Sequence, residues 1–279
     1  MWYVIRWSRT SSTLTINMQI QNKRIISGHW KFQIIHDGLF HINPPKNSNH
    51  KNLAKNIHCF PVNYLLAESD TVAILVDLGI GSLPGHFFSR CENLKHIPIT
   101  EKLMHIKSKK LAAIVFSHLH LDHMGNYLEF DGLIYSENFK NIPCYVSRLE
   151  WEFRTKRFSK ADDVYKKYYK AIAKNIQLTE DGQEVFPGIE TKYIGGHTPG
   201  HQTILFKTEE FTLCYSGDII ATENQLYKNR SLPFDFDPEK SKKIRKKILD
   251  EGRKNQWIFA LNHAPHVNFK LLEKTEKNL

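Results

Sequence analysis

Short apolar runs rich in branched and aromatic residues recur along the chain, at 30–36, 62–67, 71–76, 111–116, 143–147, 190–194, 202–207, 210–215 and 256–261. Runs of this length and composition predict strands rather than helices, and Leu111 to Phe116 reads as a buried one. Helical segments fall between several of them. The best marked has Asp237 as its cap and Pro238 in the first helical position. Ile244, Ile248 and Leu249 form its apolar stripe, and Gly252 is expected to end it. Strands mixed with helices in this way imply layered α/β architecture.

With 279 residues and 41% hydrophobic content, the chain can bury one large core. No Pro/Gly/Ser-rich linker or internal repeat divides it, so residues 18–279 are expected to form one domain. Residues 1–17 are expected to be a flexible extension, with Met18 as an alternative start, because Trp2, Arg6, Trp7 and Arg9 are mixed there with Ser and Thr. That stretch lacks the apolar core of a secretory signal, and no run approaches the roughly 20 apolar residues of a membrane span, so a cytoplasmic protein is expected. Cys59, Cys91, Cys144 and Cys214 are scattered without a paired framework, which predicts reduced thiols.

The formal net charge is +10, and Lys240, Lys242, Lys243, Arg245, Lys246 and Lys247 crowd one helix. Without interleaved aromatics or a recognised binding motif, this run is expected to be a solvated face. It argues against a nucleic-acid partner.

The chemistry concentrates at the end of the 111–116 strand, in Ser117-His118-Leu119-His120-Leu121-Asp122-His123. Alternate residues of an extended segment point the same way, so His118 and His120 can share one ion. Asp122 and His123 follow where the chain turns and can reach a second. Imidazoles with carboxylates suit zinc or another borderline first-row ion, not calcium or magnesium. Three later strand ends carry further candidates: His197 and His201 in Gly195-Gly196-His197-Thr198-Pro199-Gly200-His201, Asp218 in Ser216-Gly217-Asp218, and His263 or His266 in Asn262-His263-Ala264-Pro265-His266.

The order of these motifs resembles the metallo-beta-lactamase superfamily, with its H-x-H-x-D-H signature, later single His, bridging Asp and terminal His. Gly196-His197-Thr198-Pro199-Gly200-His201-Gln202, Ser216-Gly217-Asp218 and Phe236-Asp237-Pro238-Glu239 make it most similar to the branch of acyl-homoserine lactonases and methyl parathion hydrolases. The likeness runs from about Trp30 to about His266. It implies an αββα sandwich of two mixed sheets flanked by helices, with metals at one edge. It further implies His118, His120 and His197 on a first metal and Asp122, His123 and His263 on a second, with Asp218 bridging both. Asp77 resembles the strand-end aspartate that orients ligands, and His201 is expected to support the site from outside the ligand set.

Two divalent ions, zinc first and manganese, iron or cobalt as alternatives, would hold an activated bridging hydroxide for attack on an ester-type bond. Asp122 is the candidate proton donor to the leaving oxygen. A small-molecule lactone is the expected substrate. Aryl phosphotriesters and glutathione thioesters are the alternatives, followed by an RNA-processing nuclease and a metal-binding protein without turnover. Some lactonases of this group carry a tyrosine three residues after the bridging Asp, and here Ala221 stands there. Trp151 and Phe153 are candidates for a pocket wall, with core packing as the alternative.

Overall fold

A computed structural model describes residues 3–5, 18–21, 24–42, 58–82, 97–106, 110–131, 133–158 and 163–272, with backbone alone for 3–5, 18–21, 40–42 and 58–60. Of the expected extension at 1–17, all but Tyr3–Ile5 lies outside the described residues; that segment pairs antiparallel with Met18–Gln21.

The first sheet begins with β1 (Tyr3–Ile5), β2 (Met18–Gln21), β3 (Arg24–Ser27), β4 (Trp30–Ile42), β5 (His58–Glu68), β6 (Val72–Val76) and β7 (Lys110–Val115). After a small hairpin, β8 (Leu128–Phe130) and β9 (Tyr135–Glu137), it is completed by β10 (Cys144–Ser147) and β11 (Ile176–Thr179), which follow β7 in the sheet. The pairing is antiparallel as far as β6 and parallel from β6 through β7 and β10 to β11. The second sheet runs in sequence order through β12 (Gln183–Phe186), β13 (Ile189–Tyr193), β14 (Gln202–Lys207), β15 (Thr212–Tyr215), β16 (Ile258–Ala260) and β17 (Phe269–Leu271). It is antiparallel apart from the β15–β16 pair.

Period-two alternation sorts the strand side chains into three layers. Leu65, Ile74 and Val76 face Ile204, Phe206, Leu213, Tyr215 and Ile258 in the core between the sheets. The intervening Tyr64, Leu66 and Leu75 point to the opposite side of the first sheet. There they meet Tyr168, Tyr169 and Ile172 of a helix spanning Asp163–Ile172. On the outer side of the second sheet, Leu205, Cys214 and Phe259 pack against Ile248 and Leu249 of the Pro238–Asn255 helix. The molecule is thus an αββα sandwich. Burial on both faces explains why the strands read as unbroken apolar runs.

The Pro238–Asn255 helix starts as expected, with the Asp237 carboxylate accepting from Lys240 N–H. It does not end at Gly252. It runs one turn farther to Asn255 and closes with Gln256 in the left-handed region at φ 55°. Gly252 is there for space: a Cβ would lie 2.5 Å from the Phe259 ring. Nor is the basic run wholly a solvated face, since Arg245 is buried and donates through Nε to Ile219 O at 2.6 Å. Lys242 and Lys246 pair with Glu239 and Asp250. No helix among the described residues is long and apolar enough to cross a membrane.

Candidate metal centre

Residues 117–123 leave the end of β7 in the first sheet, whereas His197, Asp218 and His263 follow β13, β15 and β16 of the second. Backbone contacts fix the approach of these loops. Gly125 packs so tightly on Ile80 that a Cβ would lie 1.9 Å from its carbonyl oxygen, and at Gly200 a Cβ would lie 1.8 Å from Glu150 N. The buried Glu150 carboxylate joins both halves, accepting from Leu119 N at 3.1 Å and from Gly200 N at 3.2 Å. It also accepts from Arg154 Nε at 2.8 Å.

The seven residues assigned to metals by resemblance come together as two groups of four. One comprises His118, His120, His197 and Asp218; the other comprises Asp122, His123, Asp218 and His263. Within each group the candidate ligand atoms lie within 4.8 Å of one another. Asp218 belongs to both. Its Oδ2 is 3.1 Å from His197 Nε2, and its Oδ1 is 3.2 Å from His123 Nε2 and 3.3 Å from His263 Nε2. Asp122 Oδ2 lies 3.6 Å from His263 Nε2 and 3.7 Å from His123 Nε2.

Hydrogen bonds behind the rings set their tautomers. Nδ1–H of His123 donates to Asp77 Oδ2 at 2.6 Å, that of His197 to Asp235 Oδ1 at 2.9 Å, and that of His263 to Pro61 O at 2.7 Å. Ser117 gives its hydroxyl proton to Asp77 at 2.7 Å, so His118 Nδ1 is the donor in its 3.1 Å contact with Ser117 Oγ. The inward nitrogens are left to act as lone-pair ligands. Three of them crowd together, His120 Nδ1 lying 2.9 Å from His118 Nε2 and 3.1 Å from His197 Nε2. Imidazole lone pairs converging on a shared carboxylate fit a borderline divalent cation.

Electrostatics separate the rings. Burial holds His118 and His120 well below the ordinary imidazole range, helped by neighbouring rings at His118 and by the Arg154 charge at His120. Burial also pushes His123, His197 and His263 down, but the facing carboxylates, Asp218 foremost, outweigh it. His197 is thereby pushed up to about 9. Burial would raise Asp218, yet the His123, His197 and His263 charges hold it well below the usual carboxylate range. Because the His197 value lies above the ordinary 6.5, its charged ring stabilises the metal-free fold in full below that pH, and the contribution disappears as pH rises through about 9. A cation must displace that proton, so zinc affinity is expected to climb over the same window. Calorimetric titration at several pH values checks this; a flat affinity between 6.5 and 9 would contradict it.

Asp77 sits where β6 ends, in the left-handed region at φ 57°. It accepts from Ser117 N at 2.7 Å and from Tyr215 OH at 2.9 Å as well as from His123 and the Ser117 hydroxyl. His201 stacks on His118 with ring centroids 4.8 Å apart, and its Nε2 accepts from Asp218 N–H at 3.2 Å. His266 is exposed. Trp151 packs edge-on against Tyr169, 6.3 Å between centroids, beside the outer core of the first sheet. Phe153 instead meets the exposed Phe236 at 5.4 Å beneath the Arg157 guanidinium. Ala221 is buried, its carbonyl accepting from His263 N–H at 2.9 Å. Tyr227 is exposed and hydrogen-bonded to Lys270.

Supporting residues on both sides of the cluster escaped sequence reasoning. Asp235 holds His197 from 38 positions away and is tied into its own turn by Leu232 N–H. Nothing local marks it. Glu150 did carry a signal, since Ser147 caps the Arg148–Lys156 helix by accepting from Glu150 N–H, and a helix-start Glu can be drawn inward.

An αββα sandwich with a histidine and aspartate cluster where strands of both sheets end defines a class of proteins built around a candidate metal centre. The chain belongs to the metallo-beta-lactamase superfamily, whose pattern matches residues 58–263. Among curated relatives, an N-acyl homoserine lactonase of Bacillus thuringiensis is 28% identical over 222 residues, covering 73% of this chain and 81% of the relative. One from Bacillus cereus is 27% identical, covering 75% and 83%. A probable metal-dependent hydrolase from Staphylococcus aureus shares the fold with a TM-score of 0.70 at 20% identity, covering 90% of this chain and 95% of that one. A dizinc quorum-quenching lactonase in complex with a product superposes with a TM-score of 0.69 at 18% identity, covering 92% and 98%. The protein is accordingly a hydrolase.

Proposed function

We propose that the cluster holds two divalent ions, zinc before manganese, iron or cobalt, and that the enzyme opens the ring ester of an acyl-homoserine lactone. The observation that carries this is Asp218, one carboxylate shared between two groups of four ligand-competent side chains. His118, His120 and His197 would hold the first ion and Asp122, His123 and His263 the second. When bound, the ions supply an acidified water as nucleophile and a Lewis acid for the carbonyl oxygen. The curated relatives, named as acyl-homoserine lactonases, support the choice of lactone.

The chain's own part is orientation and proton handling. Asp77, Asp235 and the Pro61 carbonyl fix three imidazoles before any ligand arrives. Asp122, the more exposed of the two site carboxylates, would turn Oδ2 to the second ion and can carry a proton at Oδ1 to the leaving alkoxide. The Ala221 methyl has no proton to give, so this position donates nothing to a developing oxyanion. Phe153 and Phe236 offer an apolar wall for an acyl chain, Phe236 N–H being bonded to His197 O at 3.0 Å. Each group of four draws on both sheets, so residues 18–279 are taken to act as one domain. A cytoplasmic setting, with Cys144 and Cys214 as buried free thiols, belongs to the same reading.

The test is a panel on zinc- and manganese-loaded enzyme: homoserine lactones of several chain lengths, aryl esters, an aryl phosphotriester, a glutathione thioester and an RNA. Lactones are expected to give the highest kcat/KM, and chelation is expected to abolish turnover. Preference for the phosphotriester or thioester would replace the lactone assignment, and inertness toward the whole panel would favour metal binding without turnover.

A further inference from the structure

Resting on the two-ion reading, we infer that Asn262 is a positioning residue that aims the shared carboxylate and so sets the affinity of the second metal position. Its Nδ2 donates to Asp218 Oδ1 at 2.7 Å, with both side chains buried. Oδ1 is the oxygen that faces His123 and His263, whereas Oδ2 faces His197. The contact therefore acts on one side of the carboxylate. It fixes the rotation of the group about its last bond and uses one of the two acceptor directions of Oδ1. The first position has three imidazoles to hold an ion if that rotation loosens. The second has two imidazoles and Asp122, and depends more on where Oδ1 points.

Asn262 is itself held by a separate set of bonds. Its carbonyl accepts from Asn63 N at 2.9 Å and from Asn63 Nδ2 at 2.8 Å, and the same Asn63 amide reaches Ala264 O at 3.2 Å. Strand β5 thus clamps the loop through the Asn262 backbone while the Asn262 side chain is directed at Asp218. The side-chain part of the loop anchoring and the carboxylate positioning can be removed one at a time.

Zinc titration followed by calorimetry, with cobalt absorption as a second readout, is made on the wild type, Asn262→Ala, Asn262→Ser and Asn63→Ala. In both Asn262 variants the second equivalent is expected to weaken roughly 10–100-fold, the range for residues that orient ligands from behind. The first equivalent should hold, and the cobalt bands should shift in the second half of the titration. The serine variant keeps a polar group in the buried site and serves if the alanine variant does not fold. Asn63→Ala should leave both affinities nearly as they were. Equal weakening of both equivalents, no weakening, or the same loss in Asn63→Ala overturns the inference. A wild type that takes up fewer than two equivalents defeats the two-ion reading and this inference with it.

Discussion

Asp218→Ala is expected to lower bound zinc from two equivalents per chain to at most one and to cut lactone turnover by more than about 100-fold. That exceeds the roughly 10–100-fold typical of outer partners, because both groups of four lose the same member. The loss of charge is as important as the loss of a ligand. The His123, His197 and His263 rings are raised by the Asp218 carboxylate more than by any other charge. Without it they face one another with less reason to stay together. Elemental analysis of dialysed protein, read beside kcat/KM, tests the expectation. A variant that keeps two zinc ions and wild-type turnover would sink the shared-carboxylate mechanism.

The second large effect is expected at Asp77, on stability before chemistry. Its side chain is fully buried and accepts from Ser117 N–H, the Ser117 hydroxyl, His123 and Tyr215. Asp77→Ala strands all four donors away from water and is expected to cost about 3 kcal/mol or more in the metal-free protein. For a domain of this size that is a fall in Tm of roughly 6–12 °C. Asp77→Asn should lose less, since asparagine tolerates positive φ and keeps one acceptor oxygen. Denaturant melts of the metal-free proteins decide the matter; an alanine variant within about 0.5 kcal/mol of wild type, the margin of an ordinary surface change, would show that the network contributes little to the fold.

Much of this was legible in the sequence because the relevant signals are local. Runs such as Ala73 to Val76 are buried on both faces and need no neighbour to be recognised. The ligand candidates follow strand ends marked by Gly, Pro or His, so their order could be read directly. Strands β1, β2, β3, β8, β9, β11, β12 and β17 carry no such signal: each is three or four residues long, and most of those with described side chains are only half-buried, which leaves no strong apolar run. The end of the Pro238–Asn255 helix was misplaced because Gly252 looks like a stop when its reason is the Phe259 ring pressed against it. Asp235 and Asn262 act through contacts 38 and 44 positions distant, and no periodicity encodes such pairs.

Each group of four takes two members from the loop after β7 and two from loops of the second sheet. Neither half of the sandwich therefore supplies a full group of four by itself, and in a nascent chain neither group is complete until the halves have docked. Loading becomes a late event that rewards finished assembly, and a bound ion would act as a rivet through the seam, tying the fate of one layer to that of the other.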